Sequence, residues 1–154
     1  MIVVADTGPI HYLVLVGAVD VLQPLYTRVI VPQTVAGELQ GTGAPDAVRT
    51  WIAQPPEWCE IWPDPPSDPA LQFLDGGERA AITLALSLDA GRLLIDEWEG
   101  RAEAERRHLR VTGTLGILFA RRDSICPRSS SLASACGCPP GERSHDRPHT
   151  HQFT

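Results

Sequence analysis

The segment IVVADTGPI, residues 2–10, carries four apolar residues into Asp6 and then breaks on turn residues. A short apolar run closed by turn residues is typical of a buried strand, and Pro9 suits the first turn of a helix. The segment RLLID, residues 92–96, repeats this design and ends on Asp96. Both segments therefore predict a strand that ends on a carboxylate.

The chain alternates strand and helix patterns up to residue 119. Further strands are predicted at RVIVP (28–32), LRVTG (109–113) and, as a short edge strand, CEIW (59–62). Helices are predicted over residues 9–16, 19–26, 32–41, 44–54, 76–90, 100–107 and from 114 onward. Strands separated by helices favour a parallel sheet that is covered on both faces. The predicted fold class is therefore α/β, a three-layer α/β/α domain over residues 1–119 with a central, mostly parallel sheet.

Residues 120–154 differ in character from the rest of the chain. They are rich in Ser, Pro, Arg, His and Cys and show neither apolar period, which is typical of a low-complexity or disordered segment. A zinc site is a second interpretation, although the Cys-x-Cys spacing fits no common zinc motif. Its candidate ligands are Cys126, Cys136, Cys138, His145, His149 and His151. A third interpretation, which we favour, is a tail translated in a shifted reading frame. The C-terminal part is thus predicted to be truncated or disordered.

Composition narrows the function classes. The 154 residues contain 43% hydrophobic residues and carry a net charge of -6, which argues against nucleic-acid binding through bulk positive charge. It does not exclude a metal-dependent nuclease, whose acidic site carries its own cations. The longest apolar runs are shorter than the roughly 20 residues of a membrane span, and no basic segment precedes an apolar one at the N-terminus. We therefore expect an unprocessed cytoplasmic protein that does not contact a membrane.

Acidic side chains mark one edge of the predicted sheet. Asp6 and Asp96 follow strands, and ligand sites of open α/β sheets lie beyond the carboxyl ends of the strands. Glu38 lies on the helix after the second strand, and Glu78 lies in the first turn of the helix that leads to the fourth. Carboxylates that converge repel one another unless a cation neutralises them. Oxygen ligands favour Mg²⁺ or Mn²⁺, and Glu97 is a further candidate ligand.

Each of these residues also has a purely structural explanation. Asp6 and Asp96 could each cap the helix that follows, Glu78 could be a favourable first-turn charge, and Glu38 could lie on a solvated face. Convergence in one crevice would not be expected of independent caps. Two hydroxyls, those of Thr7 and Thr112, are either turn residues or groups that position a water.

Five segments in order resemble the PIN-domain proteins of prokaryotes, in particular the VapC-like nucleases, over about residues 2–118. They are VVADTGPI (3–10), VIVPQTVAGEL (29–39), LDGGERAAITLAL (74–86), LLIDEWEGRAEAERR (93–107) and LRVTGTLGIL (109–118). The resemblance implies that Asp6, Glu38, Glu78 and Asp96 form the family's acidic quartet. It also implies a metal-dependent ribonuclease, often the toxin of a toxin-antitoxin pair, with an antitoxin protein as partner. His108 departs from the pattern because related proteins commonly have glycine there, which should affect only a helix end.

The mechanism implied is hydrolysis of an RNA phosphodiester by water that one or two bound metal ions activate. Arg101, Arg106 and Arg107 are candidates to hold the RNA backbone, although an exposed helix face on which arginines pair with Glu103 and Glu105 is an alternative. With so few basic residues, affinity for RNA is expected to depend on the metal and on a homodimer.

Two other functions remain open from the sequence. Asp-Thr-Gly after apolar residues also occurs in aspartic proteases, which are all-β and need a second such carboxylate. The other alternative is a catalytically inactive PIN-fold module that binds a protein, or a truncated relic.

Overall fold

The centre of the protein is a sheet of five parallel strands in the order β3-β2-β1-β4-β5. The computed structural model describes residues 1–125. Within this range the strands are β1 (Ile2–Ala5), β2 (Arg28–Pro32), β3 (Cys59–Trp62), β4 (Arg92–Leu94) and β5 (Val111–Thr112). The prediction of an α/β fold with a central sheet is confirmed. The sheet is entirely parallel in this part of the chain, and CEIW forms an edge strand as predicted.

Seven α-helices connect and cover these strands within the same range. They are α1 (Thr7–Leu15), α2 (Leu22–Leu25), α3 (Gln33–Gln40), α4 (Asp46–Ala53), α5 (Gly76–Ser87), α6 (Trp98–Arg106) and α7 (Thr114–Ile125). The helix predicted over 19–26 is split into a 3-10 turn, Val19–Val21, and the single turn of α2. Parallel strands joined by helices are incompatible with the all-β fold of aspartic proteases, so that alternative is wrong.

Alternate residues of the strands pack into two hydrophobic layers. Val3 and Ala5 of β1 belong to a cluster that contains buried side chains of α1, α3, α4 and α7. Val4, between them, belongs to a second cluster formed with α5 and α6. Successive side chains of a strand point to opposite faces, so each apolar strand contributes to both layers. This arrangement confirms the prediction that helices cover the sheet on both faces.

Strands β1 and β4 are neighbours, and this pairing positions the candidate site. Ala5 is in register with Leu94, and the backbone N–H of Asp6 donates to the carbonyl of Leu94 at 2.9 Å. Asp6 and Asp96 therefore follow adjacent strands and lie at the same edge of the sheet.

Helix α7 runs from Thr114 to Ile125, so the boundary predicted at residue 119 falls inside a helix. The tail was predicted over residues 120–154, and its part from 126 to 154, with all the candidate zinc ligands, lies outside the described residues. Disorder, a shifted reading frame and zinc ligation therefore stay predictions.

Within residues 1–125, no single helix has the length and apolar character needed to cross a membrane. One bent pair, Thr7–Leu15 with Val19–Leu25 at 118°, meets the criteria of length and composition together.

His108 ends helix α6 in the left-handed conformation, with φ of 64°. This backbone region suits glycine, because a side chain there costs roughly 1 kcal/mol. We expect His108→Gly to raise the free energy of unfolding by about 0.5–1 kcal/mol in urea denaturation. Glu105→Gly, on the helix where φ is negative, is the matched control and should lower it by about 1 kcal/mol. An equal loss of stability in both variants would contradict the prediction.

Candidate active site

The candidate site lies at the carboxyl ends of β1 and β4. Asp6 is 3% exposed, and although it occupies the N-cap position of α1, its side chain makes no capping hydrogen bond. Asp96 lies beside it, since a Cβ atom placed on Gly8 would be 3.4 Å from Oδ2 of Asp96. Glycine at position 8 therefore allows the start of α1 to approach this carboxylate closely. Capping of α1 does not explain Asp6.

Helix α3 brings Glu38 to the same edge of the sheet. Its Oε2 accepts a hydrogen bond from the hydroxyl of Thr7, the residue directly after Asp6. The same carboxylate contacts the start of α5, because a Cβ atom on Gly77 would lie 2.6 Å from Oε2 of Glu38. Glu38 thus links the end of β1 to the residue next to Glu78.

Glu78 takes part in a capping box with Asp75 at the start of α5. Oδ1 of Asp75 accepts from the backbone N–H of Glu78 at 2.8 Å, and Oε2 of Glu78 accepts from the backbone N–H of Asp75 at 3.3 Å. The other oxygen, Oε1, is buried and has no hydrogen-bond partner among the described residues. A buried carboxylate oxygen without a partner is costly. Helix capping therefore explains only half of the Glu78 carboxylate.

Asp96 binds the start of helix α7. Its Oδ1 accepts from the backbone N–H of Thr114 at 2.8 Å, and its Oδ2 accepts from the hydroxyl of Thr114 at 2.6 Å. The alternative that Asp96 caps the helix directly after it is wrong, since Glu97 occupies the N-cap position of α6. Sequence proximity suggested the nearer helix, whereas the parallel pairing of β4 and β5 brings the later one to this edge.

Burial, and after it the charges of neighbouring acids, raises the pKa values of Asp6 and Glu78. The pKa of Asp6 is raised to about 7, first by burial and then by the charges of Asp75, Glu78 and Glu38, against the opposing effect of the Thr7 backbone amide. Burial, followed by the charge of Asp75, also raises the pKa of Glu78. The group therefore favours either a bound proton or a cation near neutral pH.

A cleft of about 240 Å³ opens beside Asp6 and Glu38, whereas Glu78 and Asp96 are not part of its lining. It is lined by Asp6, Thr7, Gly8, His11, Tyr12, Glu38, Asp75 and Glu97. Glu97 lies at the cleft, and its role as a further ligand stays a prediction. The sequence analysis did not identify Asp75, which directly precedes the helix predicted over 76–90, or His11 and Tyr12 as residues of the cleft. The signal for His11 was its spacing, four residues after Thr7 and hence on the same face of α1.

The oxygen donors of this site fit a hard divalent cation. The unpaired Oε1 of Glu78 points to the same conclusion, because a cation would satisfy it. Among the side chains that the structure describes, those of residues 1–121, no three His, Cys, Asp or Glu residues form a group that could hold a metal ion as they stand. The carboxylates of Glu38 and Asp96 are instead engaged by hydrogen bonds from the hydroxyls of Thr7 and Thr114. Metal binding would therefore require rotation of side chains.

The other substrate candidates separate into two groups. Arg101 lies beside Asp96: its Nη1 donates to the carbonyl of Ile95 at 3.0 Å, and a Cβ atom on Gly113 would lie 2.6 Å from Oδ1 of Asp96 and 3.0 Å from Nη1 of Arg101. Thr112 does not line the cleft, and its hydroxyl accepts from Arg92.

The remaining two arginines form ion pairs with other side chains. Arg106 and Arg107 both pair with Glu103, and Arg107 also pairs with Asp68. The alternative that these arginines pair with acids of their own helix is therefore confirmed for Glu103.

Comparison with known proteins agrees with this architecture. Residues 2–126 match the model of the DUF3368 family, a PIN domain. No curated protein matches the chain significantly. Among solved structures, a PilT N-terminus domain protein from the archaeon Sulfolobus solfataricus P2 is similar in fold, with a TM-score of 0.60 and 13% sequence identity over 79% of this chain and 93% of that one. The chain belongs to the PIN domain family, whose members are generally nucleases.

Proposed function

We propose that this protein is a Mg²⁺- or Mn²⁺-dependent endoribonuclease of the VapC-like kind, which hydrolyses phosphodiester bonds of RNA. The observation that carries the proposal is the gathering of Asp6, Glu38, Glu78 and Asp96 at one edge of the sheet, with Oε1 of Glu78 buried and unpartnered. Independent helix caps would not produce this arrangement, and the side chain of Asp6 caps nothing.

The four acids, with Glu97 at the cleft, would hold the cation. A bound divalent ion supplies Lewis acidity, which lowers the pKa of water and offsets negative charge on the phosphate. Thr7 and Thr114 hold the carboxylates of Glu38 and Asp96 at this edge of the sheet in the absence of the ion, and these two side chains would rotate to bind it. Arg101, fixed by the carbonyl of Ile95, provides a positive charge next to Asp96, where it is suited to contact the phosphate.

Cleavage of RNA in Mg²⁺ or Mn²⁺, compared with cleavage in a chelator, tests the proposal. Glu78→Gln should lower the rate about 100-fold, because it removes one charged ligand. The matched control is Glu57→Gln, an exposed acid that precedes β3 at the opposite end of the sheet, and it should cleave at the rate of the unaltered chain. Absence of cleavage in both metals would favour an inactive protein-binding module or a relic. Cleavage that continues in the chelator would contradict metal dependence.

The biological setting is part of the same proposal. We propose that the protein is the toxin of a toxin-antitoxin pair in the cytoplasm, with an antitoxin protein as partner, and that it forms a homodimer. Exposed apolar side chains on the contacting helices α1 and α7 support a protein contact. They are Tyr12 and Leu15 of α1, Val16 directly after it, and Leu115 and Phe119 of α7. Measurement of the molecular mass in solution tests the homodimer, and a monomer at all concentrations would contradict it.

A further inference from the structure

A second cavity, of about 220 Å³, adjoins the acidic cleft. Its lining consists of Thr34, Asp64, Pro65, Ser67, Gly76, Arg79, Ala80 and Thr83. Gly76 separates it from the cleft, since a Cβ atom on this residue would lie 3.3 Å from Cγ2 of Thr34 and 3.6 Å from Oε1 of Glu38. The backbone of Gly76 therefore lies between this cavity and the proposed metal ligand Glu38. A water molecule takes up about 30 Å³ of the liquid. The cavity therefore has the volume of several water molecules, which is enough for a phosphate group.

Arg79 gives this cavity an available positive charge. Its backbone N–H donates to the carbonyl of Asp75, and its carbonyl accepts from the hydroxyl of Thr83. Its guanidinium, by contrast, makes no ion pair or hydrogen bond with any described residue. Most other arginines of the described part are engaged by carboxylates, a hydroxyl or a carbonyl: Arg28, Arg49, Arg92, Arg101, Arg106 and Arg107. Arg79 is thus a free cation beside the acidic cleft.

Arg79 and the hydroxyl of Ser67 are the two side-chain donors in this lining that remain available to an anion. Asp64 is the one carboxylate in the lining, and it accepts hydrogen bonds from the Thr34 backbone N–H at 3.1 and 3.2 Å and from the Thr34 hydroxyl at 2.6 Å. These three contacts hold the Asp64 carboxylate toward Thr34, and no ion pair joins it to Arg79 within residues 1–125. Ser67 adds a hydroxyl to the lining. Guanidinium and hydroxyl donors are typical ligands of a phosphate oxygen.

We propose that this cavity binds a phosphate of the RNA strand next to the scissile one, with Arg79 as the residue that holds it. This inference rests on the proposed ribonuclease function. An acidic cleft in a chain of net charge -6 repels the RNA backbone. Arg79 offsets that repulsion on the side of α5, as Arg101 does on the side of α6. The strand would then pass from the second cavity over Gly76 into the cleft. The role of Arg79 is to position the strand, and it does not contact the reacting atoms.

Binding of a fluorescent single-stranded oligoribonucleotide to the inactive Asp6→Asn chain tests the proposal without relying on catalysis. Adding Arg79→Ala should raise Kd about tenfold and lower the slope of log Kd against log salt by about 0.7, since one phosphate contact is lost. Adding Arg79→Lys should keep most of the slope, because the charge remains. The matched control is Arg110→Ala, an exposed arginine just before β5 at the opposite end of the sheet, which should bind as the parent does.

A kinetic measurement places the contact along the strand. In the otherwise unaltered chain, Arg79→Ala should raise KM about tenfold and leave kcat within about twofold. A single neutral methylphosphonate next to the cleavage point should raise KM for the unaltered chain and have no further effect on Arg79→Ala.

The possible outcomes separate the two proposals. If the chain cleaves RNA but Arg79→Ala and Arg110→Ala bind alike, the phosphate site is wrong and the nuclease proposal stands. If RNA binding depends on Arg79 but no metal supports cleavage, Arg79 still holds an RNA phosphate, whereas the nuclease proposal and the position next to a scissile phosphate are wrong. A chain that neither binds nor cleaves RNA overturns both.

Discussion

Replacing Asp6 with asparagine is expected to lower the rate of RNA cleavage about 1000-fold or more and, at the same time, to make the metal-free protein more stable. The loss of activity follows because this residue, buried where β1 and the neighbouring β4 end, is a proposed metal ligand. The gain in stability follows because its carboxylate is buried and surrounded by the negative charges of Asp75, Glu78 and Glu38. If the carboxylate of Asp6 served to stabilise the fold, replacing it with asparagine would instead lower the free energy of unfolding.

The stability gain should depend on pH in a defined direction. The pKa of Asp6 is raised from 3.8 to about 7 in the folded chain, so the folded state binds the proton more tightly than the unfolded state does. Its contribution to the free energy of unfolding is fully present below about pH 4 and is lost as the pH rises through 7. At pH 8, without metal, Asp6→Asn should therefore raise the free energy of unfolding by at most about 4 kcal/mol, and near pH 4 it should have little effect.

Urea denaturation at pH 4 and pH 8 in a chelator, together with a cleavage assay in Mg²⁺ or Mn²⁺, measures both effects. The matched control is Asp20→Asn, an exposed aspartate in the 3-10 turn before α2, which should change neither quantity appreciably. Added Mn²⁺ should raise the Tm of the unaltered chain more than that of Asp6→Asn in thermal denaturation. The reason is that an ion that binds only the folded state stabilises the folded state. Retained metal-dependent cleavage in Asp6→Asn would sink the quartet mechanism.

Replacing Glu103 with alanine is expected to lower the free energy of unfolding by about 2–3 kcal/mol. Glu103 is 6% exposed on α6, and its Oε1 accepts from Nε of Arg107 at 2.7 Å. Arg107 also donates from Nη1 to Asp68 at 2.7 Å and so ties α6 to the segment before α5. Removal of the shared carboxylate leaves the partly buried Arg107 with one partner. Arg106, whose side chain is 72% exposed, contributes little because solvent screens its pair.

Glu105→Ala is the matched control, because Glu105 is exposed on the same helix and alanine favours helix equally in both variants. Urea denaturation compares the two, and cleavage per folded molecule should stay unchanged in Glu103→Ala. A loss no larger than that of the control would show that the Glu103 cluster is unimportant for stability. A loss of cleavage or of RNA binding without a loss of stability would instead indicate that Arg106 and Arg107 contact the RNA.

Local pattern was sufficient for most elements of the fold. Apolar runs closed by turn residues mark β1, β2 and β4, and the helical spacing after Asp75 marks α5. The least accurate prediction was a single helix over 19–26, because a 3-10 turn and one α-helical turn share the same short-range apolar spacing. The left-handed backbone at His108 could be expected only from a resemblance to proteins with glycine there.

The sequence by itself determined the α/β class and the strand ends that carry Asp6 and Asp96. It also determined the excess of acidic residues, which attracts a cation and repels the RNA backbone. Only the tertiary structure decided which partners these residues have. Asp96 binds the start of α7 rather than α6, and Asp75 joins the cleft. Among the described residues, one oxygen of Glu78 stays unpaired and Arg79 has no ion pair. The physical reason is that strand order and helix packing bring together residues far apart in the chain. A side chain's burial and charge environment depend on those neighbours, and local periodicity carries no information about them.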